Sequence, residues 1–182
     1  HSDVYACRQT GFAMLCETNP QEVMDLSPVA HLATIEGKVP FINFFDGFRT
    51  SHEIQKIEKW DYADLKEMCN MDAVAAFRAH ALNPEHPAMR GSHENGDVFF
   101  QHREACNTAY NELPAIVEKY MAKVNEKLGT NYDLFNYYGA EDAERVIVAM
   151  GSVNDVAEEV IDYLTAKGEK VGLVKVRLYR PW

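Results

Sequence analysis

The sequence predicts an α/β protein whose sheets are built from parallel strands. Two segments carry this prediction, because each has the order strand, helix, strand with short connections. In the first, apolar runs at 11–17 and 39–45 flank a helical pattern. In the second, apolar runs at 144–150 and 171–178 flank a helical pattern over 153–167. Strands that are joined through a helix in this way pair in parallel.

The first helix has a clear start and a clear end. Asn19 suits the N-cap, Pro20 the first helical position, and Glu22 closes a capping box. Apolar residues then recur at helical spacing over about four turns until Gly37. The run 39–45 that follows is apolar except for Asn43, which is typical of a buried strand.

A polar cluster, residues 46–53 (DGFRTSHE), follows this buried strand directly. Ligands of open α/β sheets bind beyond the carboxyl ends of the strands, so Asp46, Arg49 and His52 are candidate site residues. Alternatively, Asp46 belongs to an ordinary turn, and Thr50 with Glu53 forms a capping box that starts a helix over 51–59. Both interpretations stay open at this point.

The middle of the chain reads as helical. We expect helices from Asp61 to about Cys69, over 73–82 with Asp72 as the cap, and a long amphipathic helix that ends at Gly129. Residues 83–97 predict a long exposed loop, of a length more often functional or interface-forming than idle. The aromatic-rich stretch 130–142 marks a boundary before the second strand–helix–strand segment.

The composition excludes several classes of protein. Of 182 residues, 28 are acidic and 18 are basic, so the net charge of −10 argues against a nucleic-acid binder or a polybasic membrane module. No apolar run is long enough for a membrane-spanning helix, and no secretory signal is visible, so we expect a cytoplasmic protein. The four cysteines form no CxxC pair, and four histidines match no metal motif, so surface positions are expected for His80, His86, His93 and His102.

Each predicted sheet has only about two strands, and parallel sheets of two strands are rarely stable alone. The chain also begins in a polar connector at 1–10 and ends at a strand tip. We therefore expect a piece of a larger protein. The alternative is a small self-contained protein of two domains.

Five stretches resemble the pyruvate:ferredoxin (flavodoxin) oxidoreductases, in the order in which that family has them. The resemblance is specific and runs through essentially the whole chain. The stretches are 3–15 (DVYACRQTGFAML), 44–53 (FFDGFRTSHE), 83–87 (NPEHP), 143–152 (AERVIVAMGS) and 174–181 (VKVRLYRP).

The resemblance implies a thiamine-dependent oxidative decarboxylation of pyruvate. Thiamine diphosphate with Mg attacks the 2-oxo acid, CO2 leaves, the acetyl group passes to coenzyme A, and electrons pass through 4Fe-4S clusters to ferredoxin or flavodoxin. The family's polypeptide is several times longer and forms a homodimer. Residues 1–130 would be the second half of its thiamine-pyrimidine-binding domain, with a parallel sheet. Residues 131–182 would open a transketolase C-terminal-like α/β domain.

The resemblance assigns no catalytic residue and no metal ligand to this chain. The family's substrate-binding threonine, the arginine that meets the pyruvate carboxylate and the glutamate that activates the thiamine would lie before residue 1. The coenzyme A domain, the cluster cysteines and the diphosphate and Mg site would lie after Trp182. We therefore expect the 182 residues alone to be inactive, and to act with the rest of the same polypeptide.

The positions of equivalent segments in related thiamine enzymes indicate which residues lie near the active-site cleft. The connector 1–11 lies close to the active site in related thiamine enzymes, so Arg8 and Gln9 join Asp46, Arg49 and His52 as candidates.

Each of these residues also has a structural interpretation. In it, Arg8 pairs with Asp3, Asp46 caps its own turn, and Arg49 pairs with Glu53. Two further functions stay open: a non-catalytic scaffold, and a subunit of a related 2-oxo acid:ferredoxin oxidoreductase.

Overall fold

The structure is a computed structural model that describes residues 2–89 and 93–182. Helices and strands are mixed before residue 45 and after residue 134, and the described residues between them form only helices and connecting segments. The helices are α1 Ser2–Cys7, α2 Pro20–Gly37, α3 Arg49–His52, α4 Tyr62–Met68, α5 Met71–Ala79, α6 Gly96–Ala105, α7 Asn107–Leu128 and α8 Val153–Thr165. The strands are β1 Ala13–Cys16, β2 Phe41–Phe44, β3 Phe135–Gly139, β4 Arg145–Ala149, β5 Val171–Val176 and β6 Leu178–Arg180.

The first strand–helix–strand unit is confirmed. β1 and β2 pair in parallel, with Ala13 opposite Phe41, and α2 connects them. α2 begins as predicted, because the Asn19 side chain accepts a hydrogen bond from the Glu22 N–H at 3.1 Å. The Glu22 carboxylate accepts one from the Thr18 N–H at 2.8 Å. The first bond satisfies an amide group that the first turn leaves unpaired, and the second ties the residue before the cap to the helix.

The last predicted strand, 171–178, is two strands that belong to different sheets. β5 ends at Val176, and β6 pairs antiparallel with β1, so the first sheet has the order β2-β1-β6. Arg177 makes the transition, because its carbonyl accepts from the Cys16 N–H at 2.8 Å and its N–H donates to the Leu134 carbonyl at 3.0 Å. The first sheet is therefore mixed and includes a strand from the end of the chain.

The second sheet has the order β3-β5-β4 and is also mixed. The predicted parallel pairing of β4 with β5 is confirmed, whereas the antiparallel strand β3 was not predicted. β3 lies within the aromatic stretch 130–142, which sequence alone indicated only as a boundary. The prediction that β4 is buried is wrong: Val148 is 67% exposed. β4 is an edge strand, and α8 packs over β5 and β3 instead.

The larger core lies between α2 and α7. Leu26 and Val29 of α2 pack with Leu113, Val117 and Val124 of α7, and all five side chains are buried. The amphipathic pattern predicted for α7 therefore faces this core. A smaller, separate core joins α8 to β5.

The predicted helix over 51–59 is wrong. α3 ends at His52, and the backbone turns extended at Glu53. The Gln21 amide holds the following segment against α2, donating to the Glu58 carbonyl at 3.1 Å and accepting from its N–H at 2.8 Å. The Trp60 indole donates to the Met24 carbonyl at 2.9 Å. The Gln21 side chain therefore pairs both backbone groups of Glu58, which a helix would have paired internally. The Trp60 bond anchors the end of the segment to α2.

Three other helical segments differ from expectation. α5 begins at Met71 with Asn70 as its cap, rather than Asp72, and ends at Ala79. α6 was not predicted, and α1 lies in the stretch expected to be an irregular connector. α4 matches its prediction.

The predicted loop 83–97 is exposed at residues 83–89, while residues 90–92 lie outside the described residues and its last two residues begin α6. Four histidines are exposed as expected, namely His80, His86, His93 and His102. Among the helices of the described residues, none has the length and the apolar character needed to cross a membrane.

Candidate functional site

The five predicted site residues lie in three places. Asp46 lines a cleft at the carboxyl ends of β1 and β2. Arg8 and Gln9 line a second cavity at the amino end of β1. Arg49 and His52 lie on α3, and both are exposed. The structure therefore does not bring the five residues together.

The cleft at the carboxyl ends of β1 and β2 has a volume of about 660 Å³. α1 forms one wall, the ends of the two strands form another, and Met150 reaches it from beyond β4. This is the edge of an open α/β sheet at which ligands bind, as the sequence argument expected. Its other lining residues are Asp3, Val4, Tyr5, Cys7, Cys16, Ile42, Phe44, Phe45, Gly47 and Phe48.

Asp46 connects the first sheet to the start of α8. Its Oδ2 accepts a hydrogen bond from the Ser152 N–H at 2.8 Å. Gly151 has φ +81°, and a Cβ at this position would lie 2.4 Å from Asp46 Oδ1. Asp46 therefore caps a turn, but one that lies 106 positions further along the chain rather than its own. Glycine is required at 151 both by the backbone conformation and by the approach of this carboxylate.

Arg49 and His52 face outward from the short helix α3. His52 Nδ1 lies 2.7 Å from Ser51 Oγ, and its ring stacks on Phe48 with 6.3 Å between centroids. Arg49 forms no ion pair with any described residue, so the alternative pairing with Glu53 is not formed. Both side chains are therefore available to a ligand or to another surface.

Arg8 is held by Tyr5 and not by Asp3. Its Nη1 donates to the Tyr5 carbonyl at 2.6 Å, and its guanidinium lies 4.7 Å from the centroid of the Tyr5 ring. The alternative Arg8–Asp3 pair is absent from the ion pairs among the described residues.

A buried polar cluster that the sequence argument missed lies behind the cleft. Arg177 Nη1 donates to Glu22 Oε2 at 2.6 Å, and the two side chains are only 4% and 11% exposed. Burial alone would raise the pKa of Glu22, but the hydrogen bond and charge of Arg177 hold it below its usual value. Asn154 of α8 adds a bond to the Thr18 hydroxyl at 3.3 Å.

Glu17 is the unusual member of this cluster. It is fully buried, and its two carboxyl oxygens have no hydrogen-bond partner among the described residues. Burial, together with the nearby charge of Glu22, raises the pKa of Glu17 to about 9. Glu17 is therefore a neutral acid at pH 7. The only sequence signal was an acidic residue directly after an apolar strand, which is equally typical of a turn.

Metal ligands are not gathered in the part of the chain that the structure describes. Residues 2–89 and 93–182 contain no group of three or more His, Cys, Asp or Glu side chains arranged to hold an ion. The cysteines are all free thiols, on α1, on β1, after α4 and between α6 and α7. Burial raises the pKa of the Cys16 thiol, so Cys16 stays protonated at the wall of the cleft. The described residues do not fit an iron–sulfur cluster or the Mg of a diphosphate site.

The amino-terminal two thirds of the chain match a known family. The family model described as pyruvate flavodoxin/ferredoxin oxidoreductase, thiamine diP-bdg (thiamine diphosphate-binding), covers residues 1–122. The chain belongs to this family. A second family model, the pyruvate:ferredoxin oxidoreductase core domain II, covers residues 143–182.

Relatives in this family match the whole chain. It is 59% identical to the pyruvate-flavodoxin oxidoreductase of Enterobacter agglomerans and 58% identical to the pyruvate:ferredoxin oxidoreductase of Moorella thermoacetica. It is 51% identical to the pyruvate dehydrogenase [NADP(+)] of Cryptosporidium parvum. All of the chain is covered in each case, but it spans only 16%, 16% and 10% of these relatives.

A solved structure has a similar fold. The 2-oxoglutarate:ferredoxin oxidoreductase of Magnetococcus marinus, solved with 2-oxoglutarate, coenzyme A and succinyl-CoA bound, superposes with a TM-score of 0.50. The match covers 93% of this chain and 31% of that one, at 16% sequence identity. This likeness shows that the chain shares the α/β fold of the matched part of that structure.

Proposed function

We propose that the chain is part of a pyruvate:ferredoxin or pyruvate:flavodoxin oxidoreductase. The whole protein would use thiamine diphosphate with Mg to decarboxylate pyruvate, pass the acetyl group to coenzyme A, and send the electrons through 4Fe-4S clusters to ferredoxin or flavodoxin. One observation carries this proposal: 59% identity to a pyruvate-flavodoxin oxidoreductase over all 182 residues.

Within the whole protein, the chain would form the wall of a thiamine-binding domain and the start of the next domain. Two family models that match 1–122 and 143–182 support a division near residue 130. The whole protein would be a cytoplasmic homodimer. The chain would pack against the rest of the same polypeptide and supply no catalytic residue of its own, and the 182 residues alone would be inactive.

The five candidate residues would then act near the site rather than in the chemical step. Asp46 would fix the strand end that borders the cleft, since it holds the Gly151–Ser152 turn. Arg49 and His52 would contact the substrate side or a neighbouring domain from α3. Arg8 and Gln9 would act at the other end of β1.

The chain would not decide which molecule accepts the electrons. Its identity to relatives named for flavodoxin, ferredoxin and NADP(+) is 59%, 58% and 51%. A similar level of identity to proteins with different acceptors supports a role for this segment in a part of the reaction that these proteins share.

The proposal is tested with the full-length protein from the source of this chain. Reduction of ferredoxin and of flavodoxin is followed with pyruvate and coenzyme A, and then with 2-oxoglutarate in place of pyruvate. We expect reduction with pyruvate that requires coenzyme A, and little or none with 2-oxoglutarate. A preference for 2-oxoglutarate would instead indicate a related 2-oxo acid oxidoreductase.

A second experiment separates a role near the site from a scaffold role. Arg8 and Arg49 are replaced by Ala in the full-length protein, and turnover and assembly state are both measured. Loss of turnover with intact assembly indicates a role near the site. Altered assembly with the turnover per assembled molecule unchanged indicates a scaffold.

A further inference from the structure

Three arginines surround one small cavity at the amino end of β1. Arg8 follows α1, Arg103 lies in the last turn of α6, and Arg180 ends β6. The cavity has a volume of about 190 Å³. A water molecule occupies about 30 Å³ in the liquid, so the cavity accommodates a group several times larger.

No carboxylate neutralises these arginines. All 28 acidic residues of the chain lie within residues 2–89 and 93–182, yet none of them pairs with Arg8, Arg103 or Arg180. Arg145 and Arg177, by contrast, pair with Glu169 and Glu22. No described acidic side chain lines the cavity either. In a chain of net charge −10, three arginines without an ion-pair partner that line one cavity form a local positive site.

Neighbouring groups hold most of this site in place. Arg8 is fixed by its bond to the Tyr5 carbonyl at 2.6 Å, and Arg180 lies over the Tyr179 ring at 5.6 Å. The Tyr110 hydroxyl donates to the Gly11 carbonyl at 2.6 Å, which fixes one wall of the cavity. Groups that are held before a ligand arrives lose little freedom when it binds.

We propose that this cavity binds the phosphate group of a small molecule. A phosphate monoester carries nearly two negative charges at pH 7 and offers three strong acceptor oxygens. A carboxylate carries only one negative charge, so it balances less of the positive charge of the three arginines. Guanidinium forks bind phosphate oxygens in pairs, so three arginines match three oxygens. Phe12 and Tyr110, which also line the cavity, provide apolar surface for the body of the molecule.

This site is separate from the cleft beside Asp46, since it lies at the opposite end of β1. It depends on no step of the proposed decarboxylation. It adds Arg103 and Arg180 to a position where the sequence indicated only Arg8 and Gln9.

The test uses the full-length protein, in which binding of inorganic phosphate is measured by calorimetry at low ionic strength. The variants are Arg103→Ala and Arg180→Ala, with Arg78→Ala as the matched control, because Arg78 is exposed at the end of α5 and distant in sequence. Loss of one charged hydrogen-bond partner weakens binding about tenfold to a hundredfold. We expect that loss in both cavity variants and affinity within about twofold of wild type in Arg78→Ala.

Further binding measurements identify the kind of molecule that supplies the phosphate group. Adenosine 5′-monophosphate is compared with adenosine, and acetate is tested as a competitor. Stronger binding of the monophosphate than of free phosphate indicates a phosphate ester, and equal binding indicates free phosphate; either outcome supports the site. Arg103 is exposed, so its truncation leaves the fold intact even if Arg180→Ala fails to fold.

Two results would overturn the proposal. One is an unchanged phosphate affinity in Arg103→Ala. The other is competition by acetate as effective as competition by phosphate. If an unchanged phosphate affinity in Arg103→Ala came with a loss of assembly, the arginines would instead bind carboxylates of another part of the protein.

Discussion

Arg177 donates to Glu22 at 2.6 Å across 155 positions of the chain, so the residue between β5 and β6 is tied to the first turn of α2. The pair is nearly fully buried. The first sheet therefore depends on residues from both ends of the chain.

Replacing Arg177 by Met leaves the Glu22 carboxylate buried without its partner. Removal of one member of a buried pair costs about 3–5 kcal/mol. We expect a loss of that order in the opening free energy of the β1 amides, measured by native-state hydrogen exchange. The matched control is Arg145→Met, because Arg145 and Glu169 pair at the surface, with side chains 71% and 49% exposed. That change should cost at most about 1 kcal/mol. Equal losses in the two variants would contradict a special role for Arg177.

Glu17 makes stability depend on pH. Its pKa in the folded protein is about 9, above the ordinary value of 4.5, because of burial and the charge of Glu22. The folded state therefore binds the proton more tightly, and the resulting stability is fully present below pH 4.5 and is lost as pH rises towards 9.

Glu17→Gln mimics the neutral acid and removes this titration. Between pH 5 and pH 8 the opening free energy of the β1 amides should fall in the wild type and stay nearly flat in the variant. At pH 8 we expect the variant to be more stable by at least about 1 kcal/mol. A parallel pH dependence in both proteins would show that Glu17 is ionised at pH 7.

Gly151→Ala tests the contact between Asp46 and the turn before α8. The backbone at 151 has φ +81°, and the new Cβ would lie 2.4 Å from Asp46 Oδ1. Gly168 has φ +85°, and a Cβ there would have no neighbouring atom within 4 Å, so Gly168→Ala has the conformational cost alone. That cost is about 1–2 kcal/mol. Thermal unfolding should show a larger loss for Gly151→Ala, and Asp46→Ala should recover part of it. Equal losses for the two glycine variants would show that the Asp46 contact adds nothing.

Gln21→Ala should release the segment 53–61 from α2. The Gln21 amide makes two hydrogen bonds to the backbone of Glu58, at 3.1 and 2.8 Å. Their loss costs about 1–3 kcal/mol locally. Limited proteolysis should then cut at 53–61 about tenfold faster or more. Gln55→Ala, an exposed change in the same segment, should leave the rate as in the wild type. Equal rates for the two variants would contradict the role given to Gln21.

The sequence correctly predicted the parts of the fold that depend on interactions between residues close together in the chain. Asn19, Pro20 and Glu22 start α2 with groups that lie within four residues of each other, and the predicted start is confirmed. The helix predicted over 51–59 does not form, because a residue on another element decides the local structure. Gln21 of α2 bonds to the backbone of Glu58 in that segment. β6 was missed because its partner, β1, lies more than 160 positions away.

The candidate site also has parts that the sequence predicted and parts that it did not. That Asp46 borders a cleft follows from its place after the strand predicted over 39–45. The prediction that this strand is buried is wrong, because β2 is only half-buried. The Glu17, Glu22 and Arg177 cluster and the three-arginine cavity arise only when distant elements meet, so no spacing in the sequence indicates them. Which of the candidate residues act on a substrate stays a prediction.

The most direct test of the central claim is the stoichiometry of the reaction of the full-length protein. Pyruvate, coenzyme A and oxidised flavodoxin or ferredoxin are mixed with the protein, and acetyl-CoA, CO2 and reduced acceptor are measured together. We predict one acetyl-CoA and one CO2 for each pair of electrons that reaches the acceptor, with no reaction when thiamine diphosphate is removed. Acetyl-CoA formation without acceptor reduction, or activity that persists without thiamine diphosphate, would contradict the account.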